Sequence, residues 1–361
     1  MKENEDAEDD TLRSEESASD DMDGNEEHKP GKKVIAKWII AAVLLIAIIY
    51  TFRDSAVPVF DQLRHTSWKI IAGVCILSVL YELIEAYITY KMARMYNPDY
   101  RYVWGLGNAW YCAFYRLATL GSGTGVAAAY NLHKHGIGFA EGLGLYSIQY
   151  AIHKIAIALL SGILFLVQFD FMYEHYHQYG WQLILGYGLT VLITMLLVLF
   201  SCSKRFHYLL YRILNHFNKK ENGALQGRVD QLRTECEGME TATKKLFHNY
   251  KSVILLLAVT MVKLCMWYAI PYVIIKGSGV TQMTLLNAVG VTTLSTMLAA
   301  AIPTPAGIGS TEFVFMILFG KITGSGIAGS TVLIYRFATF ILPFIIGGVY
   351  VVLRHIKHMD T

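Results

Sequence analysis

The chain has 361 residues, of which 54% are hydrophobic and only 16% are charged, with a mean hydropathy of +0.38. This composition argues against a water-soluble globular enzyme, because about a quarter of the residues of an ordinary soluble domain are charged. The charge is uneven: 13 of the 28 acidic residues lie between Glu3 and Glu27, so the rest carries 29 Lys and Arg against 15 acids, a net charge of +14 that suits contact with anionic lipid headgroups.

The first 28 residues are predicted to form a disordered acidic tail, because they contain almost no large apolar side chains that could be buried. They do not resemble a signal peptide, since their start is acidic rather than basic. The apolar run that follows, Val34–Phe52, is long enough to cross a bilayer. The five cysteines are scattered without a C-x-x-C pair, which indicates neither a disulfide framework nor a metal site.

Six apolar runs are long enough to cross a hydrocarbon core of about 30 Å. They are Val34–Phe52, Trp68–Tyr90, Tyr146–Phe169, Trp181–Ser201, Lys251–Ile275 and Gly329–Leu353. Two further apolar regions, Gly105–Asn131 and Leu285–Gly320, are interrupted by Gly or Pro, so each is predicted to be a re-entrant hairpin with two short arms. The predicted fold is an all-α integral membrane protein, with one polytopic domain over residues 34–353.

Lys and Arg in the loops predict the orientation of these spans, because basic loops stay in the cytoplasm. The basic loops are the N-terminal flank, the loop near Arg101, the long Ser203–Tyr250 loop and the segment after the last span. The protein is therefore expected in the cell membrane with both termini cytoplasmic. For this count to hold, Gly105–Asn131 must enter and return on the cytoplasmic side and Leu285–Gly320 on the outer side, and full-length helix pairs would preserve the same topology.

The order span, broken hairpin, span thus occurs twice, over about 68–169 and 251–353, with opposite orientations. A gap-free shift of 182 positions pairs Gly121 with Pro303, Gly123 with Pro305, Gly125 with Gly307 and Lys154 with Arg336. Corresponding breaks in two halves indicate an inverted-topology repeat of the kind that transporters use. Irregular backbone at membrane depth is tolerated only where protein buries it or where it lines a wet cavity, so both breaks are expected to meet in one cavity.

Charged side chains inside the apolar runs are costly unless they are paired or solvated, so they suggest a binding site. They are Glu82, Glu85, Arg116, Lys154, Lys263, Glu312 and Arg336. Cations and helix N-termini beside the breaks favour an anion such as a lipid phosphate. The predicted substrate-binding residues are Arg116, Gly121, Gly123, Gly125, Lys154, Lys263, Pro303, Pro305, Gly307, Gly309, Glu312 and Arg336.

Structural interpretations of the same residues stay open beside this one. Glu82 and Glu85 lie three positions apart on one helical face, and either pair with Arg116 or another cation or carry protons. Lys154 and Arg336 either bind substrate or form a symmetric structural clamp, and the Gly and Pro turns are either site elements or packing kinks. The Gly-rich turn Gly121–Gly125 is not read as a dinucleotide-binding site, because no strand precedes it. The later segment His133-Lys134-His135 is more typical of a solvated loop than of a metal site.

The segment Pro303-Thr-Pro-Ala-Gly-Ile-Gly-Ser-Thr-Glu312, followed by Tyr335-Arg336, resembles a known family pattern. It is similar to the P-T-P-G-G-x-G-x-x-E and later E-R of the lysylphosphatidylglycerol synthase transmembrane-region family, the flippase part of multiple peptide resistance factor proteins. The similarity spans most of Trp38 to Leu353, with Ala306 in place of one glycine and Tyr335 where an acid is common. The resemblance implies movement of lipids between leaflets, in that family aminoacylated phosphatidylglycerol, and nominates Pro303, Pro305, Gly307, Gly309, Glu312 and Arg336.

The expected function is therefore a flippase or transporter for an anionic or aminoacylated phospholipid or a lipid-linked molecule. An enzyme is not favoured, because the chain ends at Thr361, soon after its last span, without the soluble synthase domain of the resistance factors or any nucleophile, metal or nucleotide motif. One alternative is a membrane enzyme or accessory subunit with His153, Glu82 and Glu85 as acid–base groups, and another is a scaffold. No cofactor and no nucleic acid partner are expected, and a homo-oligomer or a separate lipid-modifying enzyme are the protein partners considered.

Overall fold

A computed structural model describes residues 59–202, 250–302, 304 and 307–359 and a scatter of positions from 208 to 245. All of these residues belong to one compact unit, Arg53–Thr361. Within them the regular structure is entirely helical, which confirms the predicted all-α fold. The predicted acidic tail, the span Val34–Phe52 and the two prolines Pro303 and Pro305 lie outside the described residues.

After a helical stretch over residues 59–65, the first half of the described chain contains the helices α1 (Trp68–Ala93), α2 (Tyr102–Ala118), α3 (Thr124–His133) and α4 (Phe139–Val167). The first predicted break is the turn between α2 and α3. There Leu120 and Gly121 both adopt left-handed backbone, with φ of 52° and 93°, and the Gly121 amide donates to the Arg116 carbonyl at 2.7 Å. This left-handed pair ends α2, because a residue with positive φ cannot continue a right-handed helix.

Two helices connect the halves in an angular arrangement. Helix α5 (Phe169–Tyr176) leads through a 3₁₀ turn at His177–Tyr179 into α6 (Gly180–Cys202). The axes of Phe169–Tyr179 and Leu183–Leu196 differ by 104°. The apolar run predicted at Trp181–Ser201 therefore forms a helix of its own that is sharply bent away from α5.

The second half of the described chain is also built from helices. It contains α7 (Tyr250–Tyr268), α8 (Ile270–Gly277), α9 (Leu285–Ala300), α10 (Ser310–Thr323), α11 (Ser325–Arg336), a π-helical segment (Phe337–Ile341) and α12 (Leu342–Met359). Proline accounts for two interruptions: Pro271 sits in the first turn of α8, and Pro343 follows the π-helical segment. A proline lacks the N–H that would bond four residues back, so the regular ladder must rearrange before it.

Four helical stretches are long and apolar enough to cross a membrane, or up to five if the bent pair counts as one span, among the described residues. The four are Trp68–Ala93, Phe139–Val167, Tyr250–Gly277 and Ser325–Arg354. The arms of the two broken regions are shorter: α3 has 10 residues, which is about 15 Å of helix, half of a hydrocarbon core. The chain is therefore a multi-pass membrane protein with interrupted helices between its spans.

The two halves keep the same register along the chain. A shift of 182 positions carries α1 onto 250–275, which is α7 with α8, and carries α2 onto 284–300, which is α9. The same shift carries α4 onto 321–349, which holds the last residues of α10 and then α11, the π-helical segment and the start of α12. Corresponding positions therefore begin α1 and α7 and end α2 and α9, whereas α4 begins four positions before the residue that corresponds to the start of α11.

Two contacts between α1 and α7 are related to each other by the same shift. Tyr81 of α1 stacks on Trp267 of α7 with ring centroids 3.8 Å apart, and Lys263 Nζ lies 2.5 Å from Glu85 Oε2. The 182-position shift carries 81 to 263 and 85 to 267. Mutual contacts of this kind are what a two-fold relation between two elements produces.

Candidate functional site

A cavity of about 510 Å³ lies between the two broken regions. Its lining from α2 and the first turn is Asn108, Ala109, Cys112, Arg116, Leu120 and Gly121. Its lining from α9 and the second break is Thr296, Ala299, Ala300, Ile302, Thr304, Gly307, Ser310 and Thr311. Both breaks thus border one cavity, as expected for irregular backbone inside a membrane protein.

The remaining wall combines polar and aromatic side chains. Helix α4 contributes Tyr146, Gln149, Tyr150, His153 and Lys154, which recur every three or four positions on one face. Helix α1 contributes Tyr81, Glu85 and Thr89, α7 contributes Trp267, and Phe340 comes from the π-helical segment. The sequence analysis did not nominate most of these residues as site residues. The polar stripe of α4 could have indicated them, because a row of polar groups is unusual on one face of so apolar a helix.

Of the residues that the structure describes, Arg116 and Lys154 are the Arg and Lys side chains that line the cavity. Among the described residues neither has a hydrogen-bond or ion-pair partner, although Lys154 Nζ lies 5.2 Å from the centre of the Tyr150 ring. Arg116 is under the electrostatic influence of Glu82 and Glu85 on α1. Both cations are therefore free to bind an anion that enters the cavity.

Lys263 is engaged elsewhere. Its side chain is buried, 1% exposed, and its ammonium donates to Glu85 Oε2 at 2.5 Å. Glu85 Oε1 also accepts from Gln149 Nε2 at 2.9 Å. The prediction that Glu85 pairs with a cation is confirmed, and because that cation is Lys263, Arg116 stays available to the cavity.

Glu82 has no such partner. It is 0% exposed, and neither of its carboxyl oxygens has a hydrogen-bond partner within the described part of the chain. The described residues therefore do not include the cation partner that the sequence suggested for Glu82, whereas its neighbour Glu85 has one.

The second break is held by a bidentate ion pair. Arg336 Nε donates to Glu312 Oε1 at 2.6 Å and Arg336 Nη2 donates to Glu312 Oε2 at 2.8 Å. The same Nη2 also donates to the carbonyl of Gly307, and the Gly309 amide donates to Glu312 Oε2 at 2.8 Å. Glu312 thereby caps the start of α10 while Arg336 fixes the loop before it.

The glycines of the second break are required by the backbone. Gly307 and Gly309 have φ of 70° and 83°, values that side chains with a Cβ disfavour. Of the predicted residues in this break, Gly307 lines the cavity, whereas Gly309, Glu312 and Arg336 shape the loop behind it. The structural-clamp interpretation therefore describes Arg336, but the clamp is not symmetric, because Lys154 at the equivalent position faces the cavity.

The glycines of the first break divide in a similar way. Gly121 lines the cavity, while the Gly123 amide donates to the hydroxyl of Thr119 at 2.8 Å and completes the turn. Gly125 lies in the first turn of α3, where an added Cβ would sit 3.1 Å from the Tyr146 ring. Gly123 and Gly125 thus allow the turn and the close approach of α3 to α4.

A polar chain leads from the cavity towards the end of α12. Asn108 lines the cavity, its Oδ1 accepts from Asn131 Nδ2 at 3.1 Å, and Arg354 donates to Asn131 Oδ1. Nearby, the His135 ring stacks on Trp104 with centroids 4.6 Å apart, and burial, with the charge of Arg354, lowers the pKa of His135. His135 is therefore a packed, neutral side chain at pH 7 rather than a free loop residue.

Comparison with known proteins identifies one family. The family model described as the lysylphosphatidylglycerol synthase TM region matches residues 34–347. No match is found among curated proteins or among solved structures. The match covers both halves and both breaks, so the cavity lies within the region that the family model describes.

Proposed function

Because the chain belongs to the lysylphosphatidylglycerol synthase transmembrane-region family, we propose that it moves an anionic or aminoacylated phospholipid, or a lipid-linked molecule, between leaflets. The observation that carries the proposal is the cavity between the two breaks, which holds Arg116 and Lys154 without ion-pair partners among the described residues. Its volume of about 510 Å³ is that of a small-molecule pocket. It suits a headgroup, so the acyl chains stay outside it in the bilayer.

The lining groups suit a phosphate with a polar extension. The guanidinium of Arg116 can donate two parallel hydrogen bonds to phosphate oxygens, and Lys154 adds a compact charge. Thr89, Gln149 and Asn108 offer neutral hydrogen-bonding groups for glycerol or an aminoacyl group. Headgroup charge is then neutralised inside the membrane, which lowers the main barrier to crossing it.

In this proposal the two halves form an inverted repeat in the cell membrane, with both termini in the cytoplasm. The loop charges and the 182-position correspondence support that topology. The two contacts between α1 and α7 then lie at the centre of the interface between the halves. Rocking of one half against the other about these contacts would open the cavity to each leaflet in turn.

Leaflet exchange in liposomes tests the proposal. Purified protein should accelerate exchange of a headgroup-labelled anionic phospholipid without ATP, measured by dithionite quenching of the label in the outer leaflet. Arg116→Gln and Lys154→Gln should each slow exchange by about tenfold or more, because a charge-assisted hydrogen bond contributes roughly 1.5–3 kcal/mol. Lys276→Gln is the matched control, since Lys276 is an exposed cation at the end of α8 that bonds only to Tyr272 among the described residues.

Equal exchange in protein-containing and empty liposomes, across several anionic headgroups, would contradict the proposal. Mass spectrometry of the recovered lipids covers the enzyme alternative, for which His153 is the acid–base candidate because it lines the cavity and its Nδ1 has no partner among the described residues. A chemically altered lipid would favour that enzyme. Unaltered lipid without exchange would favour a scaffold that recruits a separate lipid-modifying enzyme.

A further inference from the structure

Glu82 is a buried carboxyl group that the substrate site does not use. It lies at the middle of α1, is 0% exposed, and neither carboxyl oxygen is hydrogen-bonded to any described residue. Its neighbours Tyr81 and Arg116 both line the cavity, although Glu82 itself does not. The carboxyl group is therefore next to the site but shielded from it.

The charges around Glu82 come from two of the helices packed on α1. Helix α1 packs chiefly against α2, α4, α7, α8, the π-helical segment and α12. The titratable groups that act on Glu82 are Arg116 and Cys112 from α2, Lys263 from α7, and Tyr81 and Glu85 on α1 itself. Within the described residues, the other four packed elements present no titratable group that acts on it.

An ionised carboxylate is not expected in this position. A buried carboxylate loses its hydration, and the nearby charges of Arg116 and Lys263, which make neither a hydrogen bond nor an ion pair with Glu82, do not offset that loss, so the group binds a proton. Glu85, one turn away, shows the opposite case, because Lys263 and Gln149 both donate to it. In the arrangement described here Glu82 is accordingly a carboxylic acid and Glu85 a carboxylate.

The proton on Glu82 decides the net charge beside the cavity. Lys263 and Glu85 cancel, so protonated Glu82 leaves the positive charge of Arg116 uncompensated, whereas ionised Glu82 would neutralise it. Anion binding at Arg116 and proton binding at Glu82 therefore favour each other, and the coupling is reciprocal. Protonation forms one O–H bond on Glu82 with a proton taken from water. When the anion leaves and Arg116 pairs with Glu82, that bond breaks and the proton returns to water.

We propose that Glu82 is the proton-binding site that couples transport to a proton gradient, so that each anionic headgroup travels with one proton. This inference rests on the proposed function, because it assigns the driving ion to the same cavity. Lipid then moves in the direction of proton flow, towards the side of higher pH.

Infrared spectroscopy of the purified protein in liposomes tests the proton site without any transport. The C=O stretching band of a protonated carboxyl group should persist at neutral pH and should disappear in Glu82→Gln. Glu174→Gln, at an exposed position on α5, should leave the band unchanged, and thermal melting checks that both variants fold. A neutral-pH spectrum without the band, or a band that survives Glu82→Gln, would overturn the inference.

Proton uptake and exchange then test the coupling. At a pH high enough for the wild-type carboxyl band to have disappeared, adding short-chain phosphatidylglycerol to weakly buffered detergent solution should cause the wild type to take up about one proton per bound lipid, and Glu82→Gln should take up none. In liposomes an imposed pH gradient should shift labelled lipid towards the higher-pH side for the wild type, and this shift should vanish in Glu82→Gln. Wild-type exchange that does not respond to the pH gradient would refute the coupling but leave the flippase proposal intact. Wild-type liposomes without any exchange would refute the flippase proposal, and the infrared band would then still decide whether Glu82 is a proton site.

Discussion

At the residue scale, two cations at equivalent positions of the two halves have different roles. Arg336 is 8% exposed and holds the second break through Glu312 and the Gly307 carbonyl. Lys154 faces the cavity and has only the Tyr150 ring close to its ammonium among the described residues. Removing one or the other should therefore affect different properties of the protein.

Arg336→Gln should destabilise the fold by on the order of 2–4 kcal/mol, because it leaves Glu312 unpaired. The value is smaller than for a fully buried pair, since the Glu312 side chain is 31% exposed. Lys154→Gln should leave stability almost unchanged and slow exchange instead. Thermal melting in detergent alongside the leaflet-exchange assay measures both effects.

The double variant Arg336→Gln with Glu312→Gln isolates the interaction between the two side chains. It should melt higher than the sum of the two single changes predicts, because the second substitution removes the carboxylate that the first leaves unpaired. Additive losses would show that Arg336 stabilises the break through the Gly307 carbonyl alone.

The sequence identified which charges matter but not how they pair. Glu85 and Lys263 are 178 positions apart, and no local pattern relates two residues at that distance. The sequence placed Glu312 and Arg336 in the same predicted site but did not predict their ion pair, because Arg336 follows Glu312 by 24 positions across a helix boundary. The isolation of Glu82 depends on where α2 places Arg116, which is a property of packing and not of spacing.

At the element scale, glycines allow α2 to pack closely between α1 and α12. A Cβ on Gly105 would lie 2.6 Å from the Ala86 carbonyl oxygen of α1, and a Cβ on Gly347 of α12 would lie 2.4 Å from the Trp110 carbonyl oxygen of α2. Small residues let membrane helices approach closely, where dispersion replaces the hydrophobic effect as the source of association. Helix α2 carries Arg116, so this packing also sets where the cavity cation lies.

Gly105→Ala should destabilise the protein by about 1–3 kcal/mol, because the backbone atom that it meets cannot move aside cheaply. Gly320→Ala is the matched control within α10, where an added Cβ meets nothing within 4 Å. That control should gain about 0.5–1 kcal/mol from the better helix propensity of alanine. Melting temperatures that shift in the same direction for both variants would contradict this account of the packing.

Helix breaks were the most predictable elements, because glycine and proline act locally. The left-handed turn at Gly121 and the cap at Gly309 both fall within the predicted interruptions. The bend between α5 and α6 was not predicted, because α5 lies in the polar segment 170–180 between two predicted spans, which the sequence pattern treats as a loop and not as a helix. The π-helical segment before Pro343 was likewise unpredicted, because its position depends on how α11 and α12 share one span.

At the scale of the whole molecule, the two breaks share a cavity, and the proposed inversion of the halves decides from which side each is reached. Single cysteines at Ser122 and Thr304, in a variant whose five native cysteines are replaced by alanine, report that access. We expect a membrane-impermeant thiol reagent to label Ser122→Cys from the cytoplasmic side and Thr304→Cys from the outer side. Labelling of both positions from one face only, in every condition tried, would rule out the inverted arrangement.

The two contacts between α1 and α7 also make each half selective for the other. In a pair of first halves each Glu85 carboxylate would face Tyr81 instead of an ammonium, and in a pair of second halves each Lys263 ammonium would face Trp267 instead of a carboxylate. Only the mixed pair gives both the aromatic stack and the ion pair. If the halves descend from a duplicated segment, divergence at these two positions converted a self-pairing subunit into two complementary partners. When the two halves are produced as separate polypeptides, each should therefore copurify with the other half and not with a second copy of itself.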